Sequence, residues 1–143
     1  MTTQEQLTQL FNDNFVAYYR SHQAHVNIVG RNFASDHELL GGIYEELQGQ
    51  IDTIAELLRS LSAFMPDNLM DVIDGSSVST FSMMGSADEL ISEVRGDLEQ
   101  LKGCYEELMR VAEDEEHQEI ANYAQERILA LAKHIWMLDA TLS

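Results

Sequence analysis

A chain of 143 residues, 45% of them apolar and 23% charged, has the material for one folded domain with a core and not for two. Asp and Glu number 25 against 8 Lys and Arg, a net charge of −17. That balance excludes a nucleic-acid grip through clustered basic residues and an attraction to anionic lipid, and it suits a protein whose ligand is a cation.

Apolar residues recur at steps of three and four in four blocks, and no block alternates with period two, so the chain reads as all-α. The first block is Leu7, Phe11, Phe15, Tyr18, His22, Val26 and Val29. It stops at Gly30-Arg31-Asn32, with Ser35 or Asp36 as cap for the next helix. The second block, Leu40, Ile43, Leu47, Ile51, Ile54, Leu58 and Leu61, is expected to end near Phe64, before the sole proline, Pro66. A connection from Met65 to Gly85 follows, with a short helix expected over Pro66 to Ile73 and Pro66 at its first position. The third block, Ile91, Val94, Leu98, Leu101, Tyr105 and Leu108, opens behind Ser86 and Glu89, the spacing of a capping box. The acidic run Glu113-Asp114-Glu115-Glu116 marks the turn into the fourth, where negative charge suits the positive end of that helix. The fourth is Ile120, Ala124, Ile128, Leu131, Ile135, Leu138 and Leu142.

Short links make antiparallel neighbours, and one long crossover between the second and third helices is the ferritin-like arrangement of a four-helix bundle. A single such domain over 1–143 is expected. The opening MTTQEQLTQL has no basic segment followed by an apolar one, so no secretory leader is expected. No apolar run approaches the ~20 residues that span a bilayer. The single cysteine, Cys104, leaves no internal disulfide and no thiolate zinc cluster, and a cytoplasmic setting is expected.

Nucleotide and nucleophile motifs are missing: G-x-G-x-x-G, the P-loop, G-x-S-x-G and H-E-x-x-H do not occur. The candidate ligands are His25, His37, Asp52 and Glu56, a nitrogen and oxygen set that suits Fe(II), Mn(II) or Zn(II). Asp52 and Glu56 are one turn apart on one helical face, where they repel unless a cation lies between them or water screens them. A solvated acidic face is the plainer reading of that pair alone. His37 precedes Asp52 by fifteen residues on the same helix, about 22 Å at 1.5 Å per residue. The four residues can meet only if a second copy of this helix packs antiparallel across a two-fold axis. The Glu-x-x-His pairs of a di-iron centre inside one bundle are absent; Asp114 before His117 is the nearest match. Asp114, Glu115, Glu116 and Glu119 could line a cation entry or simply open a helix. His22, His117, His134, Cys104, Tyr18, Tyr19 and Trp136 read as packing residues.

The stretch His25-Val26-Asn27-Ile28-Val29-Gly30-Arg31-Asn32-Phe33, then His37-Glu38 and Asp52-x-x-x-Glu56, resembles the Dps mini-ferritins, whose pattern is H-W-N-x-x-G-x-N-F-x-x-x-H-E-x-x-D followed by D-x-x-x-E. Lys133-His134-Ile135-Trp136-Met137-Leu138 is similar to the end of that family's last helix, and helix lengths agree over nearly the whole chain. The resemblance implies a hollow dodecamer of four-helix subunits that oxidises Fe(II), usually with hydrogen peroxide, and stores ferric mineral, protecting against oxidative stress. It places the ferroxidase site at the dimer two-fold, with His25 and His37 from one chain and Asp52 and Glu56 from the other. In that family's roles Asp52, Glu56 and His25 hold the tighter iron, Glu56 can bridge, and His37 lies near the second metal.

Two positions depart from the pattern. Gly41 stands where the family has Asp, so the second iron loses a carboxylate, which Glu38 or Glu45 would have to replace from a different helical angle. Val26 stands where the family has Trp, which removes an oxidisable aromatic beside the site. The family's DNA binding rests on basic tails; neither end of this chain is basic, and twelve copies at −17 each repel phosphate, so direct DNA binding is not expected. The alternative to a ferroxidase is a non-enzymatic metal-binding cage with a degenerate site, holding Zn(II) or one other ion. A helical interaction module without metal is the third reading.

Overall fold

The computed structural model describes the whole chain, Met1–Ser143. It holds four long helices and one short one: α1 (Thr3–Asn27), α2 (Phe33–Ser60), α3 (Leu69–Gly75), α4 (Ala87–Asp114) and α5 (Gln118–Leu142). There is no strand, as the periodicity predicts, and no helix is long and apolar enough to cross a membrane. Helices α1 and α2 form one antiparallel pair and α4 and α5 the other, joined by packing of α1 on α4. The crossover over 61–86 carries the chain between the pairs, and α3 packs on α1.

The apolar stripes meet in one core. Leu7, Leu10, Leu40, Ile43, Leu47, Ile54, Leu58, Leu98, Leu101, Leu108, Ala124 and Leu131 are all buried in it. The first stripe changes at its end: Val26 and Val29 stay exposed, and Ile28 between them enters the core instead. Buried Cys104 behaves as a small core residue, with Gln6 donating to its carbonyl at 3.2 Å. Trp136 and Tyr19 are not packing residues within this chain: they are 65% and 62% exposed.

Helix ends correct several expectations. The box Ser86–Glu89 caps α4 as predicted, and Thr2 with Glu5 makes a second box at α1. Neither Ser35 nor Asp36 caps α2; Asn32 takes the cap position without a side-chain bond, and Ser35 donates instead to the Asn32 carbonyl. Helix α2 ends at Ser60 rather than near Phe64, because Ser62 adopts a φ of +63°. The amides of Ser62 and Ala63 then turn back to the carbonyls of Arg59 and Leu58, a Schellman closure. The short helix starts at Leu69 and not at Pro66, since Asn68 accepts from the amides of Met70 and Asp71 and sets its start.

The acidic run does not open the fourth long helix. Glu113 and Asp114 end α4, Glu116 closes it at φ +64°, and α5 begins only at Gln118. Glu115 serves a different helix: it accepts from the Thr3 amide at 2.7 Å and from the Thr3 hydroxyl, so an acid from the far end of α4 caps the start of α1.

Two polar clusters hold the crossover. The Asp13 carboxylate accepts from the Ser77 amide and hydroxyl, each at 2.7 Å. Arg20, almost fully buried, donates to Asp97, to Glu93 and to the Phe81 carbonyl, tying α1, α4 and the crossover together. Burial pushes the Asp97 carboxyl up to about 6 against the pull of the Arg20 guanidinium.

Candidate metal centre

His25 lies in the last turn of α1 and His37 near the start of α2, and the turn between them faces the rings toward each other. The rings stack with centroids 3.8 Å apart and planes 16° off parallel. The Nδ1 of His25 lies 2.6 Å from the His37 carbonyl, and the Nδ1 of His37 lies 2.7 Å from the His25 carbonyl. A carbonyl only accepts, so each Nδ1 carries the proton and donates. In the neutral imidazole each Nε2 then carries the lone pair through which it ligates a metal, with tautomer and ring orientation set by the other nitrogen.

The face of α2 below this pair is His37, Gly41 and Tyr44, spaced by four and three residues. Gly41 is buried directly under His25: a Cβ there would lie 3.0 Å from the His25 Cε1 and 3.2 Å from its Nδ1. A side chain there would fit only with the imidazole shifted by a few tenths of an ångström. Phe33 lies over His37 at 4.9 Å, and Tyr44 lies against His25 at 4.9 Å. Tyr44 in turn stacks on His22 at 4.0 Å with the planes parallel, and the Tyr18 hydroxyl is 3.2 Å from His22 Nδ1.

Asp52 and Glu56 stand exposed further along α2. They are close enough that Asp52 raises the Glu56 carboxyl, first by hydrogen bonding to its protonated form and then by its charge. Two carboxylates so close repel each other, and the pair gains when a cation lies between them. Imidazoles come together and carboxylates come together, but the two pairs do not, and no three His, Cys, Asp or Glu residues of one protomer converge on a metal position. Glu38 lines a shallow groove with Glu46, Lys133 and His134 on the α5 side, away from the His25 face.

The histidine His134, read from the sequence as packing, belongs to an ionic link between α2 and α5. Glu46 pairs with His134 and with Arg127, each at 2.5 Å, and the hydrogen bond from His134 leads in holding the Glu46 carboxyl down to about 2. His22, read from the sequence as a packing residue, and Tyr44, which the sequence reading does not single out, are the neighbours of the histidine pair. The signal was available: His22 precedes His25 by three, and Tyr44 follows Gly41 by three.

The chain matches the model of the ferritin-like domain over residues 4–143. It is 32% identical over 127 residues to the DNA protection during starvation protein of Brevibacillus brevis, covering 89% of this chain and 85% of that one. It is 30% identical to the protein of the same name from Helicobacter pylori over the full length of both. The crystal structure of a Dps protein from Bacillus brevis superposes with a TM-score of 0.93 at 29% identity, over 99% of this chain and 95% of that one. A four-helix bundle with one long crossover, a histidine pair closing the first helix–helix turn and this breadth of likeness lead to one conclusion: the chain belongs to the ferritin-like family, as a mini-ferritin of the Dps kind.

Proposed function

We propose that this protein binds Fe(II), oxidises it with hydrogen peroxide and stores the ferric product inside a hollow dodecamer, with residues 1–143 acting as one domain. The observation that carries the proposal is the complementarity of two incomplete halves on one helix. His25 and His37 offer two Nε2 atoms not engaged by the carbonyls that hold Nδ1, and Asp52 and Glu56 offer two carboxylates beginning ~22 Å along α2 from His37. A two-fold that lays α2 against its copy completes two mixed nitrogen and oxygen sites at once. Large apolar side chains left bare in a single protomer, among them Phe64, Phe81, Leu129 and Trp136, supply surface for packing between subunits.

Iron gives electrons to peroxide at the shared site, which keeps Fe(II) and peroxide from generating hydroxyl radicals. Carboxylates lining the interior hold Fe(III). Protection of DNA, the property in the relatives' name, then follows from chemistry in the cytoplasm without direct DNA contact, which a charge of −17 per chain opposes. The second reading is a metal-binding cage whose site no longer turns over and holds Zn(II) or a single ion; Gly41 in place of a carboxylate favours it.

Native mass spectrometry tests the assembly, with twelve subunits expected. Anaerobic Fe(II) loading followed by peroxide tests the site: Asp52→Ala/Glu56→Ala and His25→Ala/His37→Ala are each expected to abolish rapid oxidation. Because the site is shared, co-assembling the two double mutants restores one intact site in every mixed dimer, about a quarter of full activity for random pairing. Unchanged oxidation in either double mutant, or no recovery on mixing, refutes the shared site.

A further inference from the structure

We propose that Phe64 and Met65, which follow α2, close as an apolar lid over the histidine pair of the partner subunit, against that subunit's α1–α2 turn. The inference rests on the shared site proposed above and goes beyond it, since it adds to the ligands the groups that cover them. Register along α2 comes first. Let His37 of one copy meet Asp52 of the other across antiparallel α2 helices. Beyond Asp52 that helix runs on for eight residues to Ser60, about 12 Å, whereas beyond His37 the facing helix has only four residues left, about 6 Å, before its start at Phe33. The end of one α2 therefore overhangs the start of the other and reaches the turn over 28–32.

Both surfaces that the overhang brings together are bare and apolar in the single protomer. At the turn, Val26 and Val29 are exposed, and Phe33 is 43% exposed while its ring stacks on His37. After α2, Phe64 is 77% exposed and Met65 48%. This segment is held in place: the φ of +63° at Ser62 turns the chain back, Arg59 donates to the Ala63 carbonyl at 3.0 Å, and its guanidinium lies 4.2 Å from the centre of the Phe64 ring. A large aromatic side chain fixed in water gains by being covered. Glu56, Arg59, Phe64, Met65 and Pro66 surround an open cavity of about 910 Å³, so the receiving surface already includes a proposed metal ligand. Charge agrees with this pairing: Arg31 is exposed at the tip of the turn, and exposed Asp67 lines the cavity that receives the turn. Each copy carries both surfaces, so one two-fold closes two lids. Closing them removes water from around both Nε2 atoms and slows exchange of a bound ion with solvent.

Val29→Cys and Phe64→Cys, each made together with Cys104→Ser, are co-expressed, and the assembled protein is oxidised and run on a non-reducing gel. A disulfide-linked dimer is expected from the pair and from neither variant alone, because the contact joins different positions of different chains. A second measurement follows release of Co(II) from the loaded, assembled protein to excess EDTA. Phe64→Ala is expected to speed release by about tenfold, the worth of one covered aromatic ring. Phe64→Leu keeps an apolar cap and stays near the parent rate. Met84→Ala, at an exposed apolar residue of the crossover outside the contact, leaves the rate unchanged. Phe64 is bare in the protomer, so its replacement leaves the protomer's fold intact. No linked dimer from the pair, or release from Phe64→Ala at the parent rate, overturns the lid. If oxidation still recovers on mixing the two ligand-pair double mutants, the shared site stands and the lid alone falls; if neither the link nor the recovery is seen, both fall.

Discussion

Replacing Gly41 with alanine sets two effects against each other within one helix. In a helix interior the change from Gly to Ala stabilises by about 0.8–1 kcal/mol. The new methyl would lie 3.0 Å from His25 Cε1 and 3.2 Å from Nδ1, inside the ~3.5–4.0 Å at which non-bonded carbon atoms rest. The imidazole must therefore move by a few tenths of an ångström. The atom pressed hardest after Cε1 is Nδ1, which makes the 2.6 Å bond to the His37 carbonyl. Weakening that bond costs about 1 kcal/mol, so net stability changes little. The ligand geometry changes more, because the bond that orients a metal-binding imidazole is typically worth about 10–100-fold in affinity.

Gly42 is the internal control. Nothing lies within 4 Å of a Cβ there, so Gly42→Ala should keep the whole helix gain, about 2–4 °C in melting temperature, with metal affinity unchanged. Calorimetric titration of the assembled protein with Zn(II) or Co(II), which need no exclusion of oxygen, reads affinity; thermal unfolding at fixed protein concentration reads stability. Gly41→Ala and Gly42→Ala behaving alike in both measurements would refute the seating of His25 on Gly41. The same geometry predicts that Gly41→Asp does not tighten metal binding, since its Cβ displaces the ligand it is meant to assist.

Two further outcomes follow from the ionic links. Glu46 has a folded carboxyl near 2 against an ordinary 4.5, so its stabilising contribution is present above about pH 4.5 and is lost as pH falls toward 2. Glu46→Gln should destabilise by about 1–3 kcal/mol at neutral pH and flatten the acid limb of a stability profile, both read by urea unfolding; an unaltered acid limb would contradict the role assigned to the His134 and Arg127 pairs. Arg20→Ala leaves Asp97 buried and unpaired and should cost about 3–5 kcal/mol, whereas Arg20→Met with Asp97→Leu should recover most of it in the same assay.

Local pattern already determines much of this molecule. Steps of three and four place Leu7, Leu40, Leu98 and Leu131 in one core because helical period is a property of neighbouring residues. The rise per residue separates His37 from Asp52 by ~22 Å before any coordinate is known, which confines a shared site to an interface. Ser86 and Glu89 cap their helix because both partners lie within one turn.

What tertiary structure alone decides are contacts between residues far apart in the chain or competing for one role. The acidic Glu115 could have opened the helix that follows it, but Thr3 reaches it from the other end of the chain and takes its carboxylate. Asn68 outcompetes Pro66 because a side-chain acceptor satisfies two amides that proline cannot. Gly41, in sequence a missing ligand, is in space the seat of His25, and the reciprocal Nδ1 bonds that free both Nε2 atoms exist only because the turn over 28–32 brings the ends of α1 and α2 face to face. Periodicity records which way a side chain points; it carries no record of what arrives opposite, and the chemistry of this site depends on that arrival.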